Sequence, residues 1–481
     1  MSYTPKTKPF PHQADLHRDT RDLPAYGLFL EQGLGKTKVV IDTAGHLFMD
    51  GKIDALLVIA PPAVAPNWVR DEIPVHAPDC LRVRCHLWES KRASTKKHAK
   101  SAKEMMEHDG LAVLVMSYEG FMTDRGGACA KELLTTRTCM MVLDESARIK
   151  TPSAKRTKRA IAAGKYAPYR RALTGTPVAN SPFDVYTQLR FLDPDIWKPL
   201  GCSNFRAFKT RFGEWVNQQL GAGRSFPKLV HYKDLDKLHK VVDSIGSRLL
   251  KEDVLDLPPK LYQRRYFAPD PSQTRAIKDL KTQLFSETED GREISAVLAI
   301  TQLLRVQQIL SGFAGLDGTD EIVEFKKNPR LDALMEIVED CPHKMIVWAR
   351  FRYDIDSICK ALTAAGISHV RYDGAVGTDE RETARDSFQK GDAKVFVANP
   401  ACAGEGLTLH AARTVVYYTN SFKLTERLQS EDRAHRIGQK FPVTYIDIVA
   451  EGTLDEKIIT ALREKLDIAS QVTGDTLKEW L

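Results

Sequence analysis

LEQGLGKTK, residues 30–38, is the stretch on which the fold turns. It follows an apolar run, AYGLFL (25–30), and leads into a segment whose apolar positions Val39, Val40, Ala44 and Leu47 recur at helical spacing. A loop between a buried strand and a helix is the setting in which backbone N–H groups hold phosphate. Gly33 and Gly35, with Leu34 between them, let the backbone turn its N–H groups inward around oxygens. Lys36 would then reach the β- and γ-phosphates of a nucleotide, and Thr37 would ligate Mg²⁺. Leu30 stands where the full pattern G-x-x-x-x-G-K-[ST] has its first glycine, so the pattern is met in part.

MMVLDESARIK (140–150) supplies the complementary chemistry. Four apolar residues carry Asp144 and Glu145 to the C-terminal end of a strand, where open α/β sheets bind ligands. One carboxylate beside the metal and a second that orients or deprotonates water is the pair that phosphate-ester hydrolysis needs, which suits Asp144 and Glu145 respectively. The competing reading is that the two acids cap the next helix. The strand and the upstream loop weigh against it.

The rest of the chain has the scale this requires. Its 481 residues exceed one hydrophobic core, so two or three domains are expected. Hydrophobic content of 43% and charged content of 28% are those of a soluble protein, and the net charge of +7 is a mild basic bias. No apolar signal core or membrane-length run occurs, and the expected location is cytoplasmic. The eight cysteines form no C-x-x-C, and Cys80 and Cys85 near His76 and His86 fit no zinc spacing, so reduced thiols are expected.

Apolar runs alternate with helical patterns twice: at 25–30, 55–60, 111–116, 140–143 and 171–173, then at 344–349, 369–373, 394–398, 414–418 and 443–448. Such runs suit strands buried on both faces, and helices between them imply parallel sheets. The expected fold class is α/β with two lobes, 1–257 and 258–481, parted near LPPK (257–260). Helical additions are expected at about 190–250 and about 270–315, with a helical C-terminal segment. The basic run SKRASTKKHAKSAK (90–103) reads first as a solvated helix face and second as a DNA-contacting patch. QSEDRAHRIGQ (429–439) reads as one helix ended by Gly438, with Arg433 and Arg436 on one face and Gln429 a turn earlier. A surface ladder pairing Asp432 with Arg436 is the alternative. Trp68 and Trp348 read as packing rather than base-stacking.

GLGKT, DES, LTGTPVAN (173–180) and QSEDRAHRIGQ, in this order, resemble motifs I, II, III and VI of superfamily-two helicases. RLLKEDVLDLPPK (248–260), NPACAGEGLTLHAARTVVYY (399–418) and EGTLDEKI (451–458) narrow the resemblance to the Swi/Snf family of DNA-translocating ATPases, over residues 8–460. The resemblance implies two tandem RecA-like parallel-sheet lobes, ATP and Mg²⁺ as cofactors, and double-stranded DNA as track. Arg433 and Arg436 would stabilise the transferring phosphoryl group, and Gln429 would hold nucleotide or water. Gln13 resembles the glutamine that reads adenine, and Gly406 falls within motif V at the nucleotide. Thr174, Gly175 and Thr176 resemble the coupling motif. Asn67, Ser117, Tyr118, Arg350, Ala403, Gly404 and Thr408 resemble contacts to DNA phosphates, which grip without reading bases.

Two positions depart from the family pattern. Ala147 stands where many relatives have a histidine thought to couple nucleotide to DNA, and Thr408 where asparagine is commoner. The expectation is a compact bacterial or viral translocase moving on duplex DNA. The alternatives are a helicase that separates strands or remodels forks (forked or single-stranded DNA as substrate), an ATP-gated DNA clamp, and a motor subunit for a nuclease or methyltransferase partner.

Overall fold

A computed structural model describes residues 3–220, 224–289, 296–315, 321–402 and 407–474. The chain divides into two compact units, Met1–Leu255 with Asp467–Leu477, and Asp256–Leu466 with Lys478–Leu481.

The first unit is built on strands β1 (Ala25–Leu30), β2 (Ala55–Ala60), β3 (Arg84–Trp88), β4 (Ala112–Ser117), β5 (Cys139–Asp144) and β6 (Tyr169–Leu173), followed by the hairpin β7 (Gly213–Leu220) and β8 (Arg224–Tyr232), and by β9 (Gly246–Leu249). Seven of them form one sheet in the order β3-β4-β2-β5-β6-β1-β9, every neighbour parallel. Two apolar clusters cover its faces, one around Leu57, Leu114 and Met141, the other around Leu56, Val58 and Val142. Alternate residues of the same strands feed opposite clusters, as the period of two requires.

The second unit repeats the plan. Strand β10 (Lys260–Phe267), a small ribbon of β11 (Phe313–Gly315) and β12 (Ile322–Glu324), and strands β13 (Met345–Trp348), β14 (His369–Tyr372), β15 (Val395–Ala398), β16 (Thr414–Tyr417) and β17 (Val443–Ala450) follow in order. The main sheet runs β10-β17-β16-β13-β15-β14, again wholly parallel. Helices Pro271–Glu289 and Ala296–Leu310 fill the expected second addition. Among the described residues no helix is long and apolar enough to cross a membrane.

The structure corrects two expectations. The addition at about 190–250 is not wholly helical, because β7 and β8 form an antiparallel hairpin within it. Trp215 anchors that hairpin by stacking on Phe183 and donating its indole N–H to Lys209 O at 3.0 Å, so packing overrides the charged, helix-like composition. The helix of 429–439 does not run to Gly438. It spans Leu424–Ala434, and Arg436 lies beyond its end, off the face that carries Arg433. The carbonyls at this terminus are taken from outside the helix. Leu409 N donates to Arg433 O at 2.8 Å, and Gln439 Nε2 donates to Ala434 O at 3.2 Å. The basic run starts in the short 3-10 turn Ser90–Arg92 and continues on the helix Lys96–Met106, where Lys100–Glu104 and Lys103–Glu107 form i,i+4 pairs and His98 and Met105 turn inward: a solvated face.

A buried polar network fixes the 424–434 helix to its sheet. Glu431, fully buried, receives Arg427 Nε at 2.8 Å, Tyr262 OH at 2.8 Å and Lys260 Nζ at 3.2 Å. Arg427 also reaches Asp447 on β17 with Nη2 at 3.0 Å. Removing one partner of such a set leaves a buried charge uncompensated, at a cost of about 3–5 kcal/mol. Arg427→Ala is therefore expected to lower the free energy of the second unit's unfolding by that order, read from the fall in its urea midpoint at unchanged slope. A shift under about 1 kcal/mol would show that the network contributes little.

Candidate active site

β5, β6 and β1 are neighbours in the first sheet, so the loops that follow them emerge side by side at its C-terminal edge. From β1 comes the glycine-rich turn, and from there the helix Lys36–Met49. Gly33 and Gly35 have φ of 88° and 75°, the left-handed region that a Cβ disfavours. At Gly35 a Cβ would also collide with the Gln13 amide. The Lys36 ammonium donates to Leu30 O at 2.8 Å and Glu31 O at 3.3 Å, and Thr37 follows it on the helix's first turn.

Asp144 ends β5 and is buried. Its Oδ1 accepts from Glu145 N at 3.0 Å and its Oδ2 from the Trp68 indole N–H at 2.9 Å. Burial pushes the Asp144 carboxyl up to about 6 and the Glu145 charge pushes the same way, against the Trp68 bond and the Lys36 charge. Glu145 adopts φ 51°, a left-handed conformation that costs a non-glycine residue roughly 1–3 kcal/mol and collects at functional sites. Thr174, just past β6, donates to Glu145 Oε2 at 3.2 Å and accepts Thr176 N at 3.1 Å. Gly175 passes so near the glycine-rich turn that a Cβ there would stand 3.4 Å from Leu30 O and Gln32 N. Arg248 on β9 holds the same corner, donating to Phe29 O and Gly175 O, both at 2.9 Å. The predicted Lys36, Thr37, Asp144, Glu145 and Thr174–Thr176 are thus brought to one edge. A carboxylate and a hydroxyl are hard oxygen donors suited to Mg²⁺, and a buried acid held against a neighbouring charge fits a cation.

The other predicted residues of the first unit bond within the chain or lie partly buried. Both polar ends of the Gln13 amide engage the chain itself: Oε1 accepts Phe10 N at 3.0 Å, and Nε2 donates to Leu34 O at 3.2 Å. His12 Nε2 donates to the same carbonyl at 3.0 Å, so the helix Pro11–Thr20 braces the glycine-rich turn. Tyr118 is buried, and its hydroxyl bonds Asp144 O at 2.9 Å, so it is a strut beneath the acid pair and its side chain is not open to DNA. Ser117 is half-buried and accepts Gly120 N at 2.9 Å as a helix cap, and Asn67 is half-buried one residue before Trp68.

In the second unit Arg433 is buried and donates to Leu407 O at 3.3 Å, which ties it to the segment carrying half-buried Thr408. Gln429 and Arg436 are half-buried. Arg350 lines a cavity of about 220 Å³ with Asn399, Thr419, Asn420 and Lys423 at the ends of β13, β15 and β16. Ala403, Gly404 and Gly406 lie outside the described residues.

The sequence reading placed Trp68 in the packing, where it lies, but did not foresee its bond to Asp144 or the bond of His12 to Leu34 O. Trp68 sits in a wide π-helical turn, Trp68–Glu72, a distortion that often marks functional sites and that local composition does not announce.

A model of the SNF2-related domain matches residues 18–311, and one of the helicase conserved C-terminal domain matches 329–438. The chain belongs to the SNF2 family. Relatives of this SNF2 chain include the chromodomain-helicase-DNA-binding protein 1-like of Danio rerio, 27% identical over 92% of this chain and 41% of that protein. The DNA annealing helicase and endonuclease ZRANB3 of Mus musculus is also 27% identical, over 98% of this chain and 41% of its own. The chain thus spans about two fifths of each of these two relatives. The Sulfolobus solfataricus SWI2/SNF2 ATPase core solved in complex with dsDNA is 23% identical, with 99% of this chain and 95% of that chain covered and a TM-score of 0.43.

A hydrogen bond to a charged group contributes about 1.5–3 kcal/mol. Trp68→Phe is expected to lower ATP turnover by roughly ten- to a hundredfold, about 1.4 kcal/mol per decade. Because the indole bond favours the ionised carboxylate, its loss raises the Asp144 pKa. Activity that requires the carboxylate should then fade at a higher pH than in wild type. A pH profile of kcat/KM whose acid limb stays in place would separate Trp68 from Asp144.

Proposed function

We propose that this SNF2-family chain hydrolyses ATP and uses the cycle to translocate on double-stranded DNA without reading bases. What supports this most directly is the convergence of Lys36, the Asp144–Glu145 pair and Thr174 on three adjacent strand ends. Thr37 and Asp144 would hold Mg²⁺, which neutralises charge on the phosphates when bound. Lys36 would exchange its carbonyl partners for phosphate oxygens. Glu145, held by Thr174 in its strained conformation, would orient or deprotonate the attacking water. Arg433 and Arg436 would stabilise the charge of the transferring group, an effect of about 10³ to 10⁵ in rate where a guanidinium is so used.

The DNA reading is supported by the relatives, one named as DNA-binding and another as a DNA annealing helicase. Contacts to phosphate suit movement without base reading, since every sequence shares the phosphates, and duplex as the track is what the resemblance to the Swi/Snf family implies.

Steady-state ATPase at one salt concentration, with no nucleic acid and then with duplex, single-stranded, forked DNA and RNA, tests the proposal. Duplex is expected to stimulate most strongly. Lys36→Ala and Arg436→Ala are expected to lose turnover in every condition while retaining DNA binding. Wild-type-like ATPase in either variant would remove the site assignment. Stimulation by forks or single strands alone would transfer the reading to a fork-remodelling helicase. ATP-dependent DNA binding without stimulation would transfer it to a clamp, or to a motor that needs a partner such as a nuclease or methyltransferase.

A further inference from the structure

Ala147 offers only a methyl group beside the acid pair, yet the residue before it is joined to the next loop by a fully buried polar chain. Ser146 and Gln188 have no exposed surface. Gln188 lies on the helix Val185–Leu192, and its Nε2 donates to two carbonyls, Pro177 O and Asp184 O, each at 2.8 Å. Two carbonyl partners fix the amide's orientation, since only the nitrogen can donate to them. The amide oxygen therefore faces Ser146, whose hydroxyl donates to it at 2.8 Å. Every polar valence of this amide that the interior must satisfy is used.

The far end of the chain is equally determined. Asp184 Oδ2 accepts Asn180 N at 2.7 Å, Ala179 N at 3.1 Å and Ser181 N at 3.4 Å, and Lys150 Nζ stands 3.7 Å away. The segment 177–181 is thus suspended from Gln188 and Asp184. At its near end the same stretch touches the reaction site directly, through Thr174 on Glu145. The acid-pair loop and the loop after β6 are therefore linked twice, at Glu145 by Thr174 and at Ser146 by Gln188. The Ser146–Gln188 link is fully buried and cannot lengthen without stranding a buried polar group, which costs about 1–3 kcal/mol, whereas the Thr174–Glu145 link is only partly buried.

We propose that Gln188 is the positioning residue that couples the acid-pair loop to segment 174–181, through Ser146 on one side and Pro177 on the other. It supplies by a hydrogen-bonded relay the mechanical link that the methyl group of Ala147 cannot provide. This rests on the DNA-stimulated ATPase reading above, because coupling is what stimulation reads.

The test compares basal ATPase, KM for ATP and duplex-stimulated ATPase in Gln188→Leu, Ser146→Ala, Ser146→Thr and the double variant Gln188→Leu/Ser146→Ala, with Tm measured for each. Gln188→Leu and Ser146→Ala are expected to cut the stimulation factor about tenfold with basal rate and KM unchanged. Ser146→Thr, which keeps a hydroxyl, is expected to retain it. The double variant should be no worse than the worse single, because both remove one relay. Full stimulation in both single variants would overturn the proposal and leave the ATPase reading standing. A parallel fall of basal and stimulated rates together with Tm would reduce Gln188 to a structural residue. A wild type that no DNA stimulates would overturn the function reading and, with it, the relay.

Discussion

A carboxylate held away from water at the end of a parallel strand is the constraint around which the first unit is arranged. Asp144 is desolvated, and an isolated ion so placed would take up a proton. Each of its oxygens instead receives a donor, one from the next backbone amide and one from the Trp68 indole. The Tyr118 hydroxyl takes up the carbonyl of the same residue. Those bonds draw in three other elements: the wide turn after β2, the loop after β4, and the left-handed residue Glu145. Thr174 and Arg248 then hold the strand ends beside it in register with the glycine-rich turn. The polar groups at this edge satisfy one another across loops far apart in sequence, so the site has little freedom to relax locally.

The second unit meets a related constraint in a different way. Glu431 has no exposure, and it is matched by Arg427 one turn earlier on its own helix and by Lys260 and Tyr262 on β10. The helix that carries Arg433 is thereby fixed in rotation and height against β10, β16 and β17. The sequence pattern suggested a surface charge ladder as its alternative; burial makes most of those charges internal instead. The early end of the helix follows from the same economy. Leu409 and Gln439 claim the last carbonyls, so the chain leaves the helix before Arg436 and presents that guanidinium from a turn.

The central strands were legible because runs such as ALLVIA and KVFVA are apolar on both faces, which only a doubly covered strand tolerates. Of the edge strands, β14 was legible as the run at 369–373, and three others were not. RCHLW, GSRL and KLYQRRYF border the sheets or nearly so, keep one side polar, and resemble loops when read alone. The glycine-rich turn and the acid pair were legible for a chemical reason, since phosphate and metal binding demand particular residues at fixed spacing. The bonds of Trp68, His12 and Gln188 were not, because each residue acts on a partner 22 to 76 residues away and none belongs to a local pattern. Gln13 and Tyr118 show the converse: motifs mark them on the chain, while their bonds to Leu34 O and Asp144 O are set by packing.

Strand β1 lies between β6 and β9, pairing Leu28 with Leu173 and Leu30 with Leu249. Both neighbours are made much later than β1 itself, the second more than 200 residues on. On a ribosome adding about 5–20 residues per second, the strand that carries the phosphate turn waits on the order of ten to forty seconds for its last partner. Until then one row of its backbone N–H and C=O groups stays open, and the Phe29 carbonyl lacks the Arg248 guanidinium. The strand that carries the glycine-rich turn thus gains its full set of neighbours only when nearly all of the first unit has been synthesised.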